Sequence, residues 1–186
     1  MCGIVGGVTE RNIVPILLEG LHRLEYRGYD SAGIAYRTEE NVSLVKSLGR
    51  VHDLEKKLDK KATSNIGIAH TRWATHGIPS EKNAHPHTSN KNIYVAHNGI
   101  IENHEDLKSE LKSEGFKLYS QTDSEVIGHL IEFYKQRGMD FDSSVMKAIS
   151  RLKGAFALAV MDKNDPETLI GVRQSSPLVV GEGFDE

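Results

Sequence analysis

Apolar residues recur along this chain with two different periods, and the switches between them mark out its elements. After Asn12, the positions Ile13, Leu17, Leu21 and Leu24 are spaced by four, four and three residues, which is the spacing of one helix face. Pro15 is tolerable in the first turn of such a helix. The apolar N-terminal run before it reads as a strand. Short stretches suited to a pleated surface predict further strands over 33–37, 42–46, 66–71 and 93–97, with a long loop over 72–92 between the last two. Structureless stretches of that length tend to be functional lids. Helices are predicted over 102–114 and 123–137; in the second, Thr122 and Glu125 have the spacing of a capping box, and Val126, Leu130 and Phe133 share a face. A third helix is predicted over 143–152, capped by Asp142, with Val145, Ile149 and Leu152 inward. The apolar stretches 155–161, 168–172 and 178–180 predict strands of a sheet covered on both faces. Helices clustered between groups of strands, rather than alternating with them, read as an α+β fold in which helical layers cover sheets.

Composition narrows the class of protein without naming one. The 186 residues are 38% hydrophobic and 26% charged, which is enough for one domain with a real core. No repeat or long linker divides the chain, so it reads as a single domain over 1–186. With 23 basic against 26 acidic residues the net charge is −3, and nothing in that balance calls for a nucleic-acid or anionic-membrane partner. A single cysteine allows no intramolecular disulfide and fits a reducing compartment. The apolar start is broken by glycines and followed at once by Glu10 and Arg11, so it is neither a signal-peptide core nor a membrane span. The expected location is cytoplasmic.

That one cysteine, Cys2, follows the initiator methionine. Its small side chain permits removal of Met1, which would leave one residue carrying both a thiol and a free α-amine. The α-amine titrates near ~7.7–8.0 and can act as general base for the thiol. Left in place, Met1 would tie that base up in a peptide bond. A lone cysteine is equally well read as a small buried hydrophobe, so other segments must decide.

Six segments do so. Cys2-Gly3-Ile4-Val5-Gly6, Tyr26-Arg27-Gly28-Tyr29-Asp30-Ser31-Ala32-Gly33, His70-Thr71-Arg72-Trp73-Ala74-Thr75-His76-Gly77, Asn83-Ala84-His85-Pro86-His87, His97-Asn98-Gly99-Ile100-Ile101-Glu102-Asn103 and Thr122-Asp123-Ser124-Glu125 occur in that order. Together they resemble the glutaminase domain of the glutamine–fructose-6-phosphate aminotransferases, which are class II glutamine amidotransferases. The resemblance runs the length of the chain and implies a four-layer αββα sandwich of the N-terminal-nucleophile hydrolase type.

It implies an activity as well: hydrolysis of L-glutamine to glutamate and ammonia through a thioester on Cys2. Asn98 and Gly99 match the donors that hold the tetrahedral oxyanion, where losing one donor typically costs ~10²–10³ in rate. An ordinary Asn-Gly turn is the competing reading of that pair. Arg72, Thr75 and His76 match residues that grip the α-carboxylate, and Asp123 matches the partner of the α-ammonium, although an acid there also suits a helix start. Trp73 matches a loop residue that covers the substrate, so the segment 72–80 is expected to be mobile without ligand. Arg27 matches an arginine near the nucleophile, and a structural ion pair would explain it too.

Nine histidines, six of them between His70 and His104, raise the question of a metal. No second cysteine and no His-Glu-x-x-His helix accompany them, and first-row metals need about three or four convergent ligands, so no metal or cofactor is expected. The resemblance further implies that the glutaminase domain continues beyond Glu186 and that the sugar-isomerase domains which bind fructose 6-phosphate lie outside this sequence. The full-length protein is expected to be a homo-oligomer. Two other readings share these residues: the glutaminase domain of another class II enzyme such as an amidophosphoribosyltransferase, and a non-catalytic module of the same fold. The Tyr26–Gly33 and Asn83–His87 blocks favour the aminosugar enzyme over the former, and the intact nucleophile, oxyanion donors and clamp argue against the latter.

Overall fold

The computed structural model describes residues 2–183. Strand β1 (Gly3–Val8) leads to Asn12, whose side chain caps α1 (Ile13–Leu24) by accepting the Val14 N–H at 3.2 Å. β2 (Ser31–Arg37) and β3 (Val42–Leu48) form a hairpin followed by α2 (Val51–Glu55), and β4 (Ile66–Arg72) then inserts between β1 and β2. This first sheet has the order β1-β4-β2-β3 and is antiparallel throughout. The second sheet has the order β5 (His87–Ser89), β6 (Ile93–Gly99), β7 (Phe156–Asp162), β8 (Leu169–Gln174), again antiparallel. Three helices, α3 (His104–Ser113), α4 (Glu125–Lys135) and α5 (Phe141–Ile149), connect β6 to β7.

Period-two alternation sorts the side chains into three cores. Ile34, Tyr36 and Ala69 of the first sheet pack with Leu17 and Leu21 of α1 and Val51 and Leu54 of α2. Val95, Leu158 and Val160 of the second sheet pack with Val126, Leu130 and Val145 of its helices. The opposite faces, Ala35, Ile66 and Ile68 from one sheet and Tyr94, Ala96, Ala159 and Met161 from the other, meet in the middle. The layers are therefore helix, sheet, sheet, helix, the αββα sandwich that the motifs imply.

Several local expectations change. The stretch 72–92 is not structureless: Arg72 closes β4, and His87–Ser89 pairs with Ile93–Val95 as a strand too short to show a period. α2 was not predicted, because Val51 and Leu54 are its only buried residues and one pair makes no periodicity. The Thr122–Glu125 capping box does not form. The Glu125 carboxylate instead accepts the N–H groups of Tyr119 and Ser120 at 2.8 and 2.7 Å, and Thr122 Oγ1 lies 3.0 Å from His87 Nε2. α5 is capped by Asp140, which accepts the Ser143 N–H at 2.7 Å, and not by Asp142. β8 is a half-buried edge strand rather than one covered on both faces. The stretch 178–180 forms no strand, and Val179 and Val180 are exposed, because an apolar run without a hydrogen-bonding neighbour has nothing to hold it extended.

One close approach sets the spacing between the layers next to the candidate site. A Cβ on Gly33 of β2 would stand 2.1 Å from the His85 carbonyl oxygen, so only glycine lets the His85 segment lie against this sheet. Gly33→Ala is expected to lower stability by about 1–3 kcal/mol through overpacking, seen as a lower urea midpoint at unchanged m-value. An unchanged midpoint would show that the approach is not tight.

Candidate active site

Alternation along three strands delivers the chemistry to one end of the sandwich. On β1, Ile4 and Val8 face the inter-sheet layer while Val5 faces α1, so Cys2, two residues before Ile4, falls on the inter-sheet side. On β4, Ile66 and Ile68 lead along the same row to His70 and Arg72; on β6, Tyr94 and Ala96 lead to Asn98. Antiparallel register sets Gly3 opposite Thr71, which brings the start of β1 beside the end of β4. The two sheets are tied there by side chains: His70 Nε2 lies 2.9 Å from Asn98 Oδ1 and 3.0 Å from the His97 carbonyl, and Asn98 Nδ2 donates to the Cys2 carbonyl at 3.2 Å.

Cys2 Sγ is half-buried against the residue after β4, accepting the Trp73 N–H at 3.2 Å. It stands where two cavities meet. A tight one of about 30 Å³ is lined by Cys2, Arg72, Trp73, Thr75, His76, Gly99 and Asp123 together with His85 and His97. A wider one of about 340 Å³ is lined by Cys2, Arg27, Trp73, Thr75, Asn98 and Gly99 with Ile100, Ser176 and Pro177. All nine residues singled out from sequence thus line one or both. A larger cavity of about 620 Å³, lined among others by Lys91, Phe116 and His129, touches none of them.

Arg72 and Asp123 are held in different ways. The buried Arg72 guanidinium donates to the carbonyls of His76 at 2.5 Å and Gly77 at 3.0 Å and lies 3.7 Å from Asp30 Oδ1, so it ties down the chain that follows β4. Asp30 also accepts the Ala74 N–H. Asp123 is buried and accepts the Ile101 N–H at 2.8 Å; it precedes the α4 cap, Ser124, and so lies outside the helix start. Trp73, 47% exposed, is not a core residue and meets Tyr29 edge-on at 5.4 Å. Gly99 has φ +123°, and a Cβ there would meet the Ala155 carbonyl oxygen at 2.1 Å, so this position accepts only glycine.

Three comparisons fix the family. The sequence model of the glutamine amidotransferase domain matches residues 70–183. The chain belongs to the glutamine amidotransferase domain family. Across its whole length this amidotransferase domain is 51% identical to the glutamine–fructose-6-phosphate aminotransferase (isomerizing) of Haemophilus influenzae and 50% identical to that of Escherichia coli K12. It spans 31% of the length of each of these relatives. Among solved structures, the glutamine phosphoribosylpyrophosphate amidotransferase of B. subtilis, complexed with ADP and GMP, superposes with a TM-score of 0.70 at 29% identity, covering 87% of this chain and 34% of its own. A glutamine aminotransferase class-II domain protein from Silicibacter pomeroyi shares the fold, with a TM-score of 0.56 at 20% identity over 81% of this chain and 71% of its own. The sandwich is thus that of the N-terminal-nucleophile amidotransferases, and the higher identity favours the aminosugar relatives over the phosphoribosyl ones.

Sequence reading gave no individual roles to the histidines at and behind the amidotransferase pocket. His70, His85, His87 and His97 are all buried, and the His85 ring centroid lies 4.3 Å from that of His70 and 4.6 Å from that of His87. His97 Nδ1 is 2.6 Å from Ser124 Oγ, whereas neither ring nitrogen of His85 has a hydrogen-bond partner among the described residues. Their density was visible in the sequence, but one histidine looks like another until distances separate them. Burial pushes all four below the ordinary imidazole range, His70 to about 3 and His97 to about 4, so each is neutral at pH 7. Burial also pushes the Cys2 thiol up, opposed in part by the Trp73 N–H.

These shifts have a sign. An imidazole whose folded pKa lies below its unfolded value of about 6.5 takes up a proton on unfolding, so its contribution is intact above that pH and is lost as pH falls toward the folded value. Each histidine costs about 1.4 kcal/mol per pH unit across that window. Thermal unfolding midpoints of the amidotransferase domain are expected to fall steeply between pH 6.5 and pH 5, with protons absorbed on unfolding. A flat profile over that range would mean that the four rings are not buried neutral.

Proposed function

We propose that this chain hydrolyses L-glutamine to glutamate and ammonia, with Cys2 as nucleophile once Met1 is removed. The observation that carries the reading is the position of Cys2 Sγ at the junction of two cavities, with the Asn98 amide held against the Cys2 carbonyl and Gly99 beside both. Because burial raises the thiol, it needs a base, and the α-amine of the same residue is the nearest one by construction. The amine takes the thiol proton as sulfur attacks the side-chain amide carbon. The carbonyl oxygen becomes an oxyanion held by Asn98 and Gly99, and the proton passes to the departing nitrogen, which leaves as ammonia. Water, deprotonated by the same amine, then attacks the thioester, releasing glutamate and restoring the thiol.

Arg72 and Asp123, at the wall of the tight cavity, carry the charges complementary to the α-carboxylate and α-ammonium. About 30 Å³ is room for little more than one water, so glutamine must displace something. The segment after β4 is the part that can give, since it is held largely by Arg72 on the carbonyls of His76 and Gly77. A carboxylate arriving at that guanidinium competes with those carbonyls, and Trp73 moves with the segment over the substrate. In the larger protein implied by its relatives' length, the ammonia would aminate fructose 6-phosphate; the support is the relatives' name and the 50–51% identity.

Cys2→Ala is expected to abolish glutamate release while leaving the thermal midpoint near that of the unaltered chain; undiminished release in this variant would overturn the mechanism. Arg72→Lys keeps the charge but loses the planar fork, so KM for glutamine should rise about 10-fold or more with a smaller effect on kcat. Intact mass after exposure to a diazoketone analogue of glutamine reports the same site: one adduct, suppressed by glutamine and confined to chains lacking Met1, is the expected result.

A further inference from the structure

The amide of Asn98 can face two ways. With nitrogen toward the reacting centre it donates to an oxyanion; turned over, it presents its own oxygen and repels one. We infer that His70 is the positioning residue that selects the productive orientation, a role that rests on the glutaminase reading above.

The argument runs through two fixed carbonyls. His70 Nε2 is 3.0 Å from the His97 carbonyl oxygen, which can only accept, so this nitrogen must carry the proton. The Asn98 side-chain atom 2.9 Å from the same N–H must then be an acceptor, which is Oδ1. On its other side the amide meets the Cys2 carbonyl at 3.2 Å, which demands a donor, Nδ2. One N–H of Nδ2 is spent on that carbonyl and the other is left for the oxyanion beside Cys2. A turned amide would face N–H to N–H at His70 and oxygen to oxygen at Cys2.

The ring is well built for this task. His70 is fully buried in the inter-sheet row, with the His85 ring 4.3 Å away, centroid to centroid, holding its plane. Its Nδ1 has no hydrogen-bond partner among the described residues, so nothing there competes for the tautomer set by the His97 carbonyl. Because β4 and β6 belong to different sheets, the contact also fixes the oxyanion donor on one sheet relative to Arg72, which follows His70 on the other.

The test is steady-state glutaminase kinetics of His70→Leu and His70→Gln, each alone and combined with Asn98→Ala, alongside the rate of Cys2 alkylation by iodoacetamide. His70→Leu should lower kcat about 10²-fold at nearly unchanged KM. Alkylation of the thiol should stay at the unaltered rate. His70→Gln, which can place an N–H at the same point, should recover most of kcat. In the Asn98→Ala background His70→Leu should cost nothing more, because the group through which it acts is gone. Undiminished kcat in His70→Leu, or an equal loss with and without Asn98, overturns the inference. Should the leucine variant not fold, a folded glutamine variant as slow as Asn98→Ala overturns it, and one near the unaltered rate supports it. If the unaltered chain releases no glutamate, or Cys2→Ala releases as much, the glutaminase reading falls first and takes this inference with it.

Discussion

Everything in this domain depends on two sheets packing face to face across a single layer of side chains. That layer is apolar along most of its length and polar at one end. The same row that carries Ile66 and Ile68 on β4 continues into His70 and Arg72, and the row that carries Tyr94 and Ala96 on β6 continues into Asn98. Close packing of the apolar part sets the sheets at a fixed separation. The polar part inherits that separation, which is why side chains from different sheets meet at 2.9 Å without a dedicated scaffold.

The arrangement has a cost that the fold accepts. Four imidazoles are buried, and a buried polar group without a partner costs about 1–3 kcal/mol. Three of the rings recover part of that, His70 through the His97 carbonyl and Asn98, His97 through Ser124 and His87 through Thr122, while His85 recovers none from the described residues. In return the wall of the pocket is neutral and rigid around pH 7. The charges that remain, Arg72, Asp30 and Asp123, stand out against it, and their fields are stronger in a low dielectric than they would be in water.

The segment after β4 is the counterpart to that rigidity. It is held by a few polar contacts from Arg72 and Asp30 rather than by a packed core, and its tryptophan is exposed. Elements that must open and close are drawn from such weakly held parts of a structure. In the proposed reaction, an arginine that pins the segment in one state and meets the substrate carboxylate in another would couple recognition to closure with a single group.

Much of this was legible in the chain. The helix face of Ile13, Leu17 and Leu21 and the strand periods led as far as an α+β fold, because periodicity is a local property; the sandwich and the nine lining residues came from the family resemblance that the six ordered motifs carry. Local signals also misled: Thr122 and Glu125 had capping-box spacing, but His87 and the backbone of Tyr119 and Ser120 took those side chains instead. Arg72 reads as a carboxylate fork, yet its donors are occupied by the carbonyls of its own loop. His70 lay inside a recognised motif without a role, since its work consists of two contacts, to His97 and Asn98, more than twenty-five residues away. Sequence determined which residues could do chemistry and on which face of each element they lie. Only tertiary structure decided which of them touch, because hydrogen bonds discriminate over tenths of an ångström and that distance is set by the packing of two sheets, not by either strand alone.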